Sequence, residues 1–97
     1  MILVDPDARA EIASAAEWIE DERSADGARL FLKSIEAACE YLEQYPELGE
    51  LYRGDIRRKR LLPFQYDIYY VPLPKGIYVL AVAHEARKPG YFLRRLR

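Results

Sequence analysis

Tyr66-Asp67-Ile68-Tyr69-Tyr70-Val71, then Pro72-Leu73-Pro74-Lys75-Gly76, then Ile77-Tyr78-Val79-Leu80-Ala81-Val82-Ala83-His84: on this stretch the fold turns. Both outer runs are rich in aromatic and β-branched residues, which suit a pleated surface. Two prolines and a glycine between them make a turn. The stretch predicts an antiparallel hairpin of strands 66–71 and 77–84, joined by five residues. The second strand is nearly all apolar, as a strand covered on both faces is. His84 closes it, on the predicted face of Tyr78, Leu80 and Val82.

Just upstream, Ile56 to Leu62 carries Arg57-Arg58-Lys59-Arg60. In a strand, Arg58 and Arg60 share a face with Ile56 and Leu62, and Arg57 and Lys59 share the other with Leu61. Both charged rows cannot be buried, so this third strand is expected at the edge of the sheet. Glu47-Leu48-Gly49 before it reads as loop. Downstream, Lys88-Pro89-Gly90 breaks the chain, and Tyr91 to Arg97 is a basic tail.

The first half has a different period. Met1 to Val4 is long enough for a short strand. Asp5 can cap a helix that Pro6 opens. Ala8, Ile12, Ala15, Ala16 and Ile19 recur at helical spacing, with Glu11 and Glu20 on the flanks. The helix should end near Arg23. Ser24-Ala25-Asp26-Gly27 is a tight connection, with Ser24 or Asp26 as the next cap. Phe31, Ile35, Ala38, Leu42 and Tyr45 form a second apolar stripe, which Pro46 ends. Two helices joined by so short a loop are antiparallel neighbours. The expected fold class is α+β, one domain over residues 1–97. An N-terminal strand and a helical hairpin pack on a small, mostly antiparallel sheet. The other face of the sheet is expected to be free, carrying basic residues and tyrosines.

Composition excludes several functions. The longest apolar run, Ile77 to Ala83, is far short of the roughly 20 residues of a membrane span. Asp5 and Asp7 stand where a secretory signal would carry lysines. The single Cys39 cannot form an intrachain disulfide, which fits a reducing cytoplasm, and is read as a partly buried, inert thiol. One cysteine and one histidine cannot build a Cys/His metal cage, and no phosphate-binding glycine loop is present, so no metal or cofactor is expected. The net charge of −1 hides a division. Residues 1–50 hold 13 acidic and 4 basic residues, whereas residues 51–97 hold 3 acidic and 11 basic ones. Such asymmetry points to an anionic partner for the second half, or to two halves that neutralise each other.

The candidate binding residues are Arg57, Arg58, Lys59, Arg60, Arg87, Tyr91, Arg94 and Arg95, interleaved with aromatic side chains. Arginine forks clasp phosphates and carboxylates equally well, so nucleic acid and an acidic protein are both open as partners, beside a solvated edge that only prevents aggregation. RNA cleavage by 2′-hydroxyl attack needs a base, an acid and a cation for the phosphate. His84, Arg87, Tyr91 and Arg60 are residues of the right kinds.

The order of these pieces resembles the RelE/ParE superfamily of bacterial toxins. The likeness is carried by Asp5-Pro6-Asp7-Ala8 through Ala16-Glu17-Trp18-Ile19, by Phe31-Leu32-Lys33-Ser34-Ile35-Glu36 and by Pro46-Glu47-Leu48-Gly49. It continues through Ile56-Arg57-Arg58, Pro63-Phe64-Gln65-Tyr66-Asp67-Ile68-Tyr69-Tyr70, Val79-Leu80-Ala81-Val82-Ala83-His84 and Arg87-Lys88-Pro89-Gly90-Tyr91. The His-x-x-Arg-x-Pro-Gly-Tyr ending looks more like the ParE branch than the RelE branch. The resemblance implies the toxin of a type II toxin–antitoxin, plasmid-stabilisation pair, neutralised by a ParD-like antitoxin. ParE-like members imply DNA gyrase as target, with no enzymatic activity of the toxin itself. RelE-like members imply messenger RNA cleavage on the ribosome, where Arg87 and Tyr91 match the family's catalytic Arg and Tyr in kind. A non-toxic interaction module on the same fold is the third alternative.

Overall fold

Two capped helices and five strands follow one another in a computed structural model that describes residues 1–88 and 90–96. Pro89 and Arg97, read above as part of the turn and of the basic tail, lie outside the described residues. The order is β1 (Ile2–Val4), α1 (Pro6–Glu22), α2 (Ala25–Gln44), β2 (Glu50–Arg53), β3 (Ile56–Leu61), β4 (Tyr66–Leu73) and β5 (Gly76–His84). Short 3-10 turns occupy Pro46–Leu48 and Leu93–Leu96. The caps are the expected ones. The Asp5 carboxylate accepts from the Asp7 N–H at 2.9 Å, with Pro6 at the first helical position. The Ser24 hydroxyl accepts from the Gly27 N–H at 2.9 Å.

The sheet runs β1-β5-β4-β3-β2, and only β1 and β5 are parallel. The architecture is the α+β one expected. Ala8, Ala15 and Ile19 of α1 and Phe31, Ile35, Cys39 and Leu42 of α2 pack on Leu61, Ile68, Tyr70, Ile77, Val79 and Val82. Burying each large apolar side chain contributes about 1.5–3 kcal/mol. Tyr45, at the end of the predicted stripe, is instead 52% exposed, because α2 has already ended at Gln44.

The structure corrects four further expectations. First, β3 is not an edge strand. Residues 50–53, beyond what reads as loop, form β2 and pair with it, so the basic strand is internal. Its charged rows are tolerated because each arginine finds a partner, as described below. Second, the far face of the sheet is not free. Phe92, fully buried, plugs a second cluster of Ile56, Tyr69, Leu80, Ala81 and Ala83. Third, the hairpin turn is tighter, with β4 reaching Leu73 and β5 starting at Gly76. Fourth, β5 carries a bulge. Tyr69 pairs with Ala81 but Tyr70 pairs with Val79, leaving Leu80 as the extra residue. A bulge reverses the alternation of side chains. Tyr78 and Leu80 therefore face the second cluster, whereas Val82 packs with the helices. His84 turns to that helix side too, where it meets Tyr66, and does not share the face of Tyr78 and Leu80.

The join between helices and sheet rests on a tyrosine. Tyr70 Oη donates to the Pro46 carbonyl at 2.6 Å and accepts from the Gly49 N–H at 2.9 Å. A Cβ at Gly49 would lie 2.4 Å from that hydroxyl, so only glycine fits.

Candidate functional site

The basic row of β3 divides as its alternation requires. Arg57, on the helix side, donates from Nη1 to the carbonyls of Glu47 (2.9 Å) and Gly49 (2.7 Å), tying down the turn that ends α2. Lys59 shares that side and is half-buried. Arg58 and Arg60 face the other way. Arg58 Nε donates to Glu50 Oε1 at 2.7 Å across the β2–β3 ladder, and this hydrogen bond raises the guanidinium's pKa. Arg60 lies 3.6 Å from the Glu85 carboxylate. Both stand near the buried Asp67, whose carboxyl is pushed up by burial while the two arginines pull it down.

A second cluster joins the C-terminal segment to α1, and Glu11 is its centre. Arg95 grips it with two fingers, Nη1 to Oε1 at 2.9 Å and Nη2 to Oε2 at 3.1 Å. Both side chains are only 13% exposed. Tyr91 donates its hydroxyl to Glu11 Oε2. Arg87 stacks its guanidinium 3.8 Å above the Tyr91 ring and stands 3.7 Å from the same carboxylate oxygen. Burial, reinforced by the bond to Glu11, pushes the Tyr91 hydroxyl far up. The bond to Glu11 likewise raises Arg95.

This cluster exists because the sheet leaves work for it. β1 covers β5 only at residues 77–79. Past the bulge, the next backbone groups on that edge have no neighbouring strand. Glu11 Oε1 takes the Val82 N–H at 3.1 Å, and Arg95 Nη1 donates to the Leu80 carbonyl at 3.1 Å. Two side chains thus stand in for a missing strand.

His84 and Arg87 line an open groove of about 350 Å³ between α1 and the end of β5. The imidazole meets the Tyr66 ring edge-on at 5.2 Å, and its Nδ1 accepts from the Ala86 N–H at 3.1 Å. That bond places the proton of the neutral ring on Nε2. Of the four residues with nuclease chemistry, Arg87 and Tyr91 touch, and His84 shares the groove with Arg87. Arg60 faces the side of the sheet away from His84 and pairs with Glu85. Arg94, the remaining candidate, is exposed on the last 3-10 turn. Among the described residues no group of His, Cys, Asp and Glu could hold a metal ion, and no helix is long and apolar enough to cross a membrane.

The family model for the ParE toxin of the type II toxin–antitoxin system parDE matches residues 2–89. The chain belongs to the ParE toxin family. No curated protein sequence matches it at a significant level. The match runs from β1 to the foot of the C-terminal segment, so it spans the whole sheet and both helices of the toxin. It stops short of residues 90–96, which carry Tyr91, Phe92 and Arg95.

In this toxin the residue that sequence reasoning missed is Glu11. It reads as a flank of the α1 stripe, three residues after Ala8 and four before Ala15. A carboxylate at that border, level with the buried face, was the available signal.

Proposed function

We propose that this toxin arrests growth by inhibiting DNA gyrase in the cytoplasm, and that a ParD-like antitoxin neutralises it, as in plasmid-stabilisation modules. Membership of the ParE family supports the toxin–antitoxin reading. The observation that favours a target-binding toxin over a nuclease is the state of Tyr91. Its hydroxyl is committed to Glu11 and its pKa is pushed far above neutrality, so it is a poor general base. Arg60, the strand arginine offered for the phosphate, is already engaged by the Glu85 carboxylate at 3.6 Å. The toxin's part is then recognition, through the exposed Arg60 of β3 and the exposed Arg87 and Arg94 of the C-terminal segment. The acidic antitoxin meets the Arg58–Arg60 side of the sheet.

Pulse labelling after induction of the toxin alone tests this. Thymidine incorporation is expected to fall within the first minutes while methionine incorporation continues, and purified toxin should inhibit supercoiling by gyrase. Early loss of methionine with thymidine intact would overturn the proposal in favour of ribosome-dependent RNA cleavage. Unimpaired growth with soluble, folded toxin would point to the non-toxic module.

A further inference from the structure

The sheet ends at β1 on one side and at β2 on the other, and the two edges differ. β2 is guarded. Glu50 and Arg53 put charges on it, and its register with β3 slips between Leu51 and Arg53. β1 has no such guard. Ile2-Leu3-Val4 carries no charge, no proline and no register shift. An open apolar edge is a template for another strand.

The ladder with β5 decides which strand fits. The Met1 carbonyl accepts from the Ile77 N–H at 3.0 Å, and the Asp5 N–H donates to the Val79 carbonyl at 2.9 Å. Odd-numbered residues of this stretch thus turn their backbone groups to β5. Ile2 and Val4 turn theirs outward, with no hydrogen-bond partner among the described residues. Each offers one donor and one acceptor, two residues apart. An antiparallel copy of the same strand completes them, because Ile2 of one copy exchanges both bonds with Val4 of the other, and Val4 with Ile2.

Leu3 then stands opposite its own counterpart, on a two-fold axis normal to the sheet. This is a non-hydrogen-bonded pair, in which facing side chains come closest. Leu3 is 44% exposed, on the face of Tyr78, its register partner on β5. Beside Tyr78, half-exposed Leu96 borders a hollow of about 320 Å³ with Val71 and Leu73. The charges match as well. The same axis sets Met1 against Asp5. The β4–β5 turn, which adjoins Met1, therefore comes beside the first turn of α1 in the other copy. Lys75 and Asp7, both exposed, meet there as opposite charges, once at each end of the paired strands.

We infer that two copies of the toxin join through β1 into one continuous sheet, five strands from each, with both helical layers on the same side. The inference goes beyond the proposed function and does not depend on the toxin's target. A strand of another protein could use the same backbone groups, but the match of Leu3 with Leu3 and of Lys75 with Asp7 belongs to the chain itself. The paired strands are short and bury less than the roughly 1,200–2,000 Å² of a standard interface. The dimer is accordingly weak, with a dissociation constant of about 1–100 μM.

Sedimentation velocity of the purified toxin, over a wide concentration range around that constant, should show monomer giving way to dimer. Leu3→Lys sets like charges face to face and should weaken the dimer about tenfold or more. Leu3 points to solvent, so the variant keeps its fold, which circular dichroism checks. Lys75→Glu should weaken the dimer severalfold, and Asp7→Lys added to it should restore the affinity. A cross-link reads the geometry directly. Leu3→Cys should form disulfide-linked dimers under mild oxidation, since facing Cβ atoms of such a pair lie near bridging distance. Leu51→Cys, exposed beside the other edge, should not, and the buried Cys39 stays out of the reaction. Monomer at every concentration overturns the inference. So does a dimer that Leu3→Lys leaves intact, or Leu51→Cys cross-linking as fast as Leu3→Cys.

Discussion

Glu11 shows how much one side chain holds. Its two oxygens bind a guanidinium, a phenol and a strand-edge N–H, so removing it strands three donors at once. Leaving Arg95 largely buried without its carboxylate costs more than losing one ordinary hydrogen bond. Glu11→Ala is expected to lower stability by about 2–4 kcal/mol in urea denaturation. Arg95→Ala added to it should cost much less than Arg95→Ala alone, because the two share one interaction. Additive losses would sever the link drawn here. Cys39 is the opposite case, a reactive group made inert. Burial, and secondarily the neighbouring Glu40, pushes its thiol up to about 11. The thiolate is the reactive form, and little of it exists near neutral pH. Alkylation by iodoacetamide at mildly alkaline pH should therefore be slow in the folded toxin and follow the rate of unfolding. Labelling of the native protein at the rate of a free thiol would contradict the burial.

At the scale of elements, β1 depends on a single glycine. Gly76 has φ +153°, and a Cβ there would lie 1.8 Å from the Met1 carbonyl oxygen. That oxygen accepts the Ile77 N–H at 3.0 Å, the first rung between β1 and β5. Gly76→Ala should displace the N-terminal strand at a cost of about 3 kcal/mol. In hydrogen exchange, the Ile77 and Asp5 amides should lose protection while the β4–β5 ladder keeps its own. Uniform loss, or none, would refute a local effect. These elements also mark what a sequence reveals. The helices were legible because Ala8, Ala15 and Ile19, and Phe31, Ile35 and Leu42, repeat at 3.6-residue spacing behind side-chain caps. The β4–β5 hairpin was legible because its two runs are long and rich in strand formers. β2 was not, since Glu50-Leu51-Tyr52-Arg53 is four residues long and its Leu51 is 67% exposed. Without β2, the basic strand looks like an edge. The bulge at Leu80 left no mark in composition, and it decides the side on which His84 lies. Phe92 was hidden among arginines, although an aromatic pair inside a basic tail was the clue to its burial. The candidate site fared the same way. Its residue types could be read from the sequence, but their grouping around Glu11 depends on where β1 stops.

For the whole molecule, the division of charge is one of layers. The arginines of β3 are held within the sheet layer or by the chain's carbonyls: Arg58 by Glu50 of β2, Arg60 by Glu85, Arg57 by the carbonyls of Glu47 and Gly49. Glu11 is the main carboxylate that the helical layer lends to the basic half. Glu17, Glu20, Asp21, Glu22, Glu36 and Glu40 stay exposed on the helices. The two layers therefore do not cancel. Alkali should unfold this protein. Burial raises the hydroxyls of Tyr66, Tyr69, Tyr70 and Tyr91, a bond to Asp5 raises Tyr78, and burial raises the Cys39 thiol. Each of these groups holds its proton more tightly folded than unfolded. The stability they contribute is complete below their unfolded values, 9.0 for the thiol and 10.0 for the phenols. It is lost as pH climbs through the raised ones. Each such group steepens the fall by about 1.4 kcal/mol per pH unit once the unfolded chain has ionised and the folded one has not. The thermal midpoint should accordingly drop sharply above pH 10. Most tyrosinate absorbance should then appear together with the loss of circular dichroism, because five of the eight tyrosines keep their protons until the chain opens. Tyrosines that ionise near their ordinary value in a chain that stays folded would mean that the Phe92 plug and the Glu11 clamp do not close the sheet as described.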